Sequence, residues 1–195
     1  MRAFLALLPP PPLLPGLVAW QERFRECLPG FEARWIVPGQ MHLTLRFFAN
    51  LEEHELPALC TAVETAVQNF GPFPLRLGPA GCFTRAGRPR IFWVGLIDEA
   101  EALTRLFESV SRAVQGIGGT ANQGDFHPHI TVGRAGHRAR RFRRSLEWGP
   151  DPKSQEARCQ GSVEQLHLMR STPCPGGVQY DSLASFPLRP ALFET

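Results

Sequence analysis

The tripeptide His-x-Thr occurs twice in this chain, as His42-Leu43-Thr44 and as His129-Ile130-Thr131. Alternating apolar residues follow each histidine, a pattern that predicts a β-strand with one buried face. Residues i and i+2 of a strand share a face, so each histidine lies beside its threonine on the polar side. An imidazole titrates near neutral pH, and a threonine hydroxyl can donate a hydrogen bond to a phosphate oxygen. The two motifs therefore predict two matched pairs of proton-transfer and hydrogen-bonding groups.

Neighbouring residues extend these two polar faces. Alternation from His42 predicts that Arg46 shares its face and that Phe47 points into the core, and the same rule places His127 on the face of the second motif. Arg134 then opens a stretch of six arginines without an acidic residue, at positions 134, 138, 140, 141, 143 and 144. Such a stretch suits a phosphate-bearing ligand, and a solvated surface loop is the alternative interpretation.

Opening a cyclic phosphodiester requires a base for the attacking water, an acid for the departing alkoxide and donors for the developing negative charge. Two histidines, two threonines and nearby arginines supply all three functions without a metal. A metal site is the alternative at His127-x-His129, because alternate strand positions can chelate one ion. No carboxylate or cysteine lies at a suitable spacing to complete it. We therefore predict a catalytic pair of histidines, no metal and no cofactor.

Hydrophobic periodicity predicts the elements that carry the motifs. The predicted strands cover residues 2–8, 34–37, 41–48, 73–77, 91–97, 128–134, 163–169 and 178–187, and the predicted helices cover 13–27, 56–70 and 102–114. Each half contains a strand, a helix and then a strand with His-x-Thr. The separation from Phe4 to His42 equals that from Ile91 to His129. The order predicts two similar halves, with an irregular, arginine-rich segment over 136–162.

Composition limits the class of protein. A chain of 195 residues with 43% hydrophobic residues can form one compact domain, here 1–195, in two lobes that share a core. The five cysteines are scattered without a CxxC pair, which argues against a disulfide framework or a zinc site. No apolar run approaches the length of a membrane span, and the apolar N-terminus is broken by four prolines. We expect a cytoplasmic protein with no membrane partner, and a monomer because the site is complete within one chain.

Several segments together carry a family resemblance: RAFLAL (2–7), WIVP (35–38), HLTLRFF (42–48), PRIFWVGL (89–96), FHPHITVGR (126–134), LHLMRS (166–171) and Tyr180. In these segments the chain resembles the 2H phosphoesterase superfamily, specifically the RNA 2′,3′-cyclic phosphodiesterases that were historically called 2′-5′ RNA ligases. The segments span nearly the whole chain in the family's order. Two departures are Phe48-Ala49 where the family usually has Leu-Gly, and Val132-Gly133 before Arg134 where it usually has Leu-Ala.

The resemblance implies an α+β fold of two pseudo-symmetric lobes of antiparallel sheet, with helices outside and a central groove. It implies hydrolysis of RNA 2′,3′-cyclic phosphate ends to 2′-phosphomonoesters. The alternatives are 2′-5′ ligation of RNA, such as tRNA halves, and a nucleotide- or RNA-binding module without turnover. The implied roles are proton donor for His42, proton acceptor for His129, phosphate contact for Thr44 and Thr131, and nucleotide contact for Arg134, with Phe4 as a base-stacking or core residue.

Overall fold

The computed structural model describes residues 1–29, 31–119, 126–136, 147–148, 160–175 and 177–189. The described residues form ten strands and three α-helices. The strands are β1 Ala3–Leu7, β2 Ala33–Trp35, β3 Leu43–Phe48, β4 Phe73–Arg85, β5 Arg88–Ile97, β6 His129–Ala135, β7 Glu147–Trp148, β8 Gln160–Val163, β9 Gln165–Cys174 and β10 Gly177–Pro187. The helices are α1 Leu14–Cys27, α2 Leu56–Val67 and α3 Ala102–Ala113.

The strands form one antiparallel sheet. Its order is β10-β9-β1-β3-β6-β5-β4-β7, with β2 paired to β6 and β8 paired to β4. The two strands that carry the His-x-Thr motifs, β3 and β6, are direct neighbours at the centre and pair through Leu43 and Ile130. The predicted α+β architecture is confirmed, and the sheet runs without a break from one half to the other.

The predicted internal repeat is also present. Ala6 of β1 pairs with Thr44, and Trp93 of β5 pairs with Thr131 at the equivalent position of the second half. The helix that follows each first strand also matches, since α1 and α3 occupy corresponding places in the chain. The pairing register is therefore repeated between β1–β3 and β5–β6.

Both motif strands contain a β-bulge directly after the threonine. Leu5 pairs with Arg46 although Ala6 pairs with Thr44, so Leu45 is an extra residue in β3. A bulge places two successive side chains on one face and restarts the alternation. The prediction for the residues beyond it was wrong: Arg46 lies on the core side and is 9% exposed, whereas Phe47 is 37% exposed.

The apolar faces of the helices cover the other side of the sheet. Phe24 of α1 packs on Phe92 of β5, with ring centroids 5.1 Å apart. Ser109 of α3 donates a hydrogen bond to the carbonyl of Ala66 at 3.0 Å, which joins α3 to α2. No helix in the described part of the chain is long and apolar enough to cross a membrane.

Several strand boundaries differ from their predictions. The strand expected over 163–169 is β9, which continues to Cys174, and the segment 136–162, expected to be irregular, contains β7 and most of β8. The strand expected to stop at Leu77, before Gly78, continues to Arg85 because a bulge between Leu77 and Ala80 absorbs Gly78 and Pro79. Most of the segment 136–162, including Arg138, Arg140, Arg141, Arg143 and Arg144, lies outside the described residues.

Candidate active site

The two motifs meet crosswise at the centre of the sheet. Leu43 lies opposite Ile130 in an antiparallel register, which brings His42 toward Thr131 and Thr44 toward His129. Leu43 and Ile130 are each 1% exposed, so the flanking motif side chains point to the opposite, solvent-facing side. The structure therefore brings the four predicted catalytic residues to one face, here called the groove face.

Both histidine rings are oriented in the same way. Nδ1 of His42 lies 2.8 Å from the carbonyl oxygen of Gln40, and Nδ1 of His129 lies 2.7 Å from that of His127. A carbonyl can only accept, so each Nδ1 carries the hydrogen and donates it. Among the described residues no hydrogen bond reaches Nε2 of either ring, so both can exchange a proton with a bound molecule.

Aromatic rings hold His42 in place. The Phe4 ring stacks on it at 4.7 Å between centroids, and Tyr180 meets it edge-on at 5.2 Å. Phe4 is only 4% exposed, so what the structure shows for it is support of the His42 ring. A cleft of about 100 Å³ opens beside this cluster, bordered by Leu8, Gly39, Gln40, Met41 and Met169 as well as by the three rings.

His129 has its own aromatic neighbours. Phe83 meets its ring edge-on at 5.0 Å, and Trp93 lies 6.4 Å away. His127 is exposed, and its ring packs against the same Trp93 at 4.7 Å. Its backbone carbonyl orients His129, so a positioning role for His127 follows from its main chain.

Burial lowers the pKa of both motif histidines below their usual value, because desolvation disfavours the imidazolium. The hydrogen bonds to the carbonyls of Gln40 and His127 act in the opposite direction, and the charge of Arg134 lowers the pKa of both rings further. His129 also lowers the pKa of His42, so the two rings share one electrostatic environment. The lowered pKa favours the neutral form of both imidazoles in the unliganded protein.

The second bulge brings Arg134 to the groove face. Phe92 pairs with Gly133 although Trp93 pairs with Thr131, so Val132 is the extra residue in β6. Gly133 then faces the core, where a Cβ would lie 2.7 Å from the Trp35 ring. Arg134 points to the opposite side and is exposed. Its location beside both histidines agrees with its effect on their pKa.

Gln21 of α1 supports this bulge from below. Its side-chain amide donates to the carbonyl oxygens of Ile36 and Val132, both at 2.7 Å, and it is 4% exposed. The backbone N–H of Ile36 donates to the same Val132 oxygen at 3.0 Å. Gln21 thus connects the helix, the segment after β2 and the bulge that orients Arg134.

Comparison with known proteins identifies the family of this chain. A sequence model of the 2′-5′ RNA ligase superfamily matches residues 9–172. The chain belongs to this superfamily. It is the 2H phosphoesterase group that the paired motifs resemble, so that prediction is confirmed.

Named members of the superfamily are similar over most of their length. An RNA 2′,3′-cyclic phosphodiesterase of Thermus thermophilus is 31% identical over 97% of this chain and 91% of its own. One of Thermotoga maritima is 28% identical over 79% of each chain. The crystal structure of the Thermus thermophilus protein TT0787 superposes with a TM-score of 0.78, at 31% identity, over 97% of this chain and 99% of that one.

The structure separates the predicted site residues of this superfamily member into two groups. The groove face holds His42, Thr44, His129, Thr131 and Arg134. Arg46 does not join them, since its side chain is buried on the core side. Its Nε has no hydrogen-bond partner among the described residues. Among the described residues, no group of three or more His, Cys, Asp or Glu side chains could hold a metal ion.

Sequence reasoning did not assign a role to several residues of this superfamily site. They are the aromatic neighbours Phe83, Trp93 and Tyr180, and the buried amide of Gln21. The sequence contains one indication for Tyr180, because it is the only tyrosine of the chain. It contains another for Gln21, because this polar residue lies on the otherwise apolar face of α1 with Leu17, Trp20 and Phe24.

Proposed function

We propose that this protein hydrolyses RNA 2′,3′-cyclic phosphate ends to 2′-phosphomonoesters by general acid–base catalysis, without a metal. The observation that carries the proposal is the crosswise pairing of two histidines and two threonines, with both Nε2 atoms free. The relatives named RNA 2′,3′-cyclic phosphodiesterase support the substrate class. We also expect the protein to act as a monomer in the cytoplasm.

Each histidine has one step in the proposed reaction. His129 takes a proton from water through Nε2, and the water oxygen attacks phosphorus in line with the P–O3′ bond. As that bond breaks, His42 gives its Nε2 proton to the departing 3′-oxygen. The products are a 2′-phosphomonoester and a free 3′-hydroxyl, and proton exchange with solvent restores both rings. The assignment of acid and base follows the family resemblance.

The remaining groove residues stabilise charge. The hydroxyls of Thr44 and Thr131 are placed to donate hydrogen bonds to the two non-bridging phosphate oxygens. The guanidinium of Arg134 adds a positive charge where negative charge increases during the attack. A bound phosphate also raises the pKa of His42 from its lowered value, which supplies the protonated acid that the step requires.

Replacing either histidine tests the acid–base assignment. In His42→Ala and in His129→Ala we expect kcat to fall by about 10²–10⁴-fold, because each variant lacks one proton-transfer group. The measurement is release of product from an oligonucleotide that ends in a 2′,3′-cyclic phosphate. Chromatography against 2′- and 3′-phosphate standards identifies which ester has opened.

The control is His54→Ala, since His54 is exposed and lies outside the groove. It should retain full activity. Near-normal turnover in both groove variants would refute the assignment, and activity lost in EDTA and restored by zinc would establish a metal mechanism instead. Adding RNA with a 5′-hydroxyl end tests 2′-5′ ligation in the same assay.

A further inference from the structure

Arg34 lies next to Arg134 on the groove face. The two residues are register partners in the β2–β6 ladder, so their side chains project from the same side of the sheet. The neighbours of Arg34 confirm its direction, because Trp35 packs on the core side against Gly133 and the Phe92 ring. Both arginines are exposed.

Like charges directly opposite one another on a sheet repel each other unless an anion lies between or above them. The ion pairs of the described residues join Arg25 to Glu22, Arg76 to Glu99 and Arg170 to Asp181, and none of them involves Arg34 or Arg134. The arrangement therefore leaves two positive charges side by side near the phosphate site, and no carboxylate of the described residues forms an ion pair with either of them.

A second cavity, lined in part by Arg34, lies beside the cleft at His42, and the two share Gln40. It has a volume of about 280 Å³ and is lined by Arg34, Gln40, Gly177 and Val178, among others. Gln40 also borders the cleft beside His42, and its side chain donates to the Val178 carbonyl at 2.9 Å. A strand of nucleotides leaving the cleft past Gln40 would thus meet the guanidinium of Arg34.

Position separates the roles of the two arginines. Arg134 lowers the pKa of both histidine rings, so it lies close enough to contact the terminal, reacting phosphate in the proposed reaction. Arg34 lies on the neighbouring strand β2, one strand spacing of about 5 Å from Arg134. We propose that Arg34 binds the phosphodiester preceding the terminal nucleotide, so that the protein acts on single-stranded oligonucleotide ends in preference to mononucleoside cyclic phosphates. This inference rests on the proposed function.

The test compares two dinucleotides that both end in a 2′,3′-cyclic phosphate. In one the internal linkage is a normal phosphodiester, and in the other it is an uncharged methylphosphonate. For the unmodified protein we expect kcat/KM to be about three- to tenfold higher with the charged linkage, the size expected of one exposed arginine–phosphate contact. In Arg34→Gln this ratio should fall to about one, and the salt dependence of log kcat/KM should lose about 0.7 of its slope.

Arg105→Gln is the matched control, because Arg105 is an exposed arginine on α3 and its loss changes the net charge equally. It should keep the ratio of the unmodified protein. An unchanged ratio in Arg34→Gln, or no preference in the unmodified protein, would overturn the role of Arg34 while leaving the proposed hydrolysis in place. If adenosine 2′,3′-cyclic phosphate and both dinucleotides all remain intact, the proposed function itself fails, and this inference with it.

Discussion

The two motif histidines are held in equivalent environments that lower their affinity for protons. Each ring is half-buried, and each donates from Nδ1 to the carbonyl two residues before it. Burial is the largest cause of the lowered pKa, and the nearby positive charge of Arg134 adds to it. The charge of Arg134, which we propose binds the phosphate, therefore also disfavours protonation of both rings in the unliganded protein.

Removing the charge of Arg134 should raise the pKa of His42 and of His129. In Arg134→Gln the repulsion between the guanidinium and each imidazolium is lost, so both rings take up protons at higher pH. NMR titration of the ring hydrogens in the unliganded protein measures the shift directly. Arg105→Gln, remote from the groove on α3, is expected to leave the pKa of both histidines unchanged. Titrations that move toward lower pH in Arg134→Gln would contradict the placement of this side chain.

Sequence alone was sufficient for the motif residues but not for those that follow them. His42, Thr44, His129 and Thr131 precede the bulges, so simple alternation places them correctly. Arg46 follows the bulge and was assigned to the wrong face. Nothing in its apolar and basic neighbours marks the extra residue, because a bulge is decided by pairing with the neighbouring strand.

At the scale of elements, the bulges determine which arginine reaches the groove. In β6 a signal was present, since Gly133 inside a strand is typical of a bulge or of a close approach by another group. Gly133 lies next to the bulge, and the Trp35 ring also packs closely against it. The strands and helices themselves were predictable from periodicity, but the continuation of β4 beyond Gly78 was not, because it depends on β5 as a partner.

Gln21 should be an important support of the β6 bulge. Gln21→Leu keeps the apolar packing of α1 but removes two hydrogen bonds and leaves the Ile36 carbonyl without its donor. We expect the free energy of unfolding to fall by about 1–3 kcal/mol, the usual cost of an unsatisfied buried polar group. Urea denaturation at pH 7.5 measures it.

The control for this substitution is Gln115→Leu, which alters an exposed glutamine after α3. It should change the free energy of unfolding by no more than about 0.5 kcal/mol. Equal effects of the two substitutions would mean that the hydrogen bonds of Gln21 contribute nothing to the stability of the fold.

At the scale of the whole molecule, the buried histidines make stability depend on pH. Burial lowers the pKa of His42, His129 and His167 in the folded protein. Below the usual histidine pKa of about 6.5 the unfolded chain therefore binds more protons than the folded one, and stability falls as the pH drops through the lowered values. Well above pH 6.5 the three rings are neutral in both states, so they no longer make stability depend on pH.

Urea midpoints at pH 7.5 and at pH 5.5 test this linkage. We expect the midpoint to be lower at pH 5.5, and we expect the difference to shrink in the double variant His42→Gln, His129→Gln. His54→Gln, at an exposed position, should show the full difference. If the double variant loses as much stability as the unmodified protein between the two pH values, the two rings are not the cause.

The register of β3 against β6 also has an evolutionary consequence. A twofold axis through the Leu43–Ile130 pair exchanges the two motifs, and such an axis is what two identical chains adopt when they form a dimer. The groove therefore has the geometry of a homodimeric site, in which each histidine lies opposite the threonine of the other half. Because both halves lie in one chain, equivalent positions can differ: the position that holds Arg134 in one half holds Phe47 in the other. That difference makes the two sides of a symmetric site unequal, since the position carries a guanidinium in one half and a phenyl ring in the other.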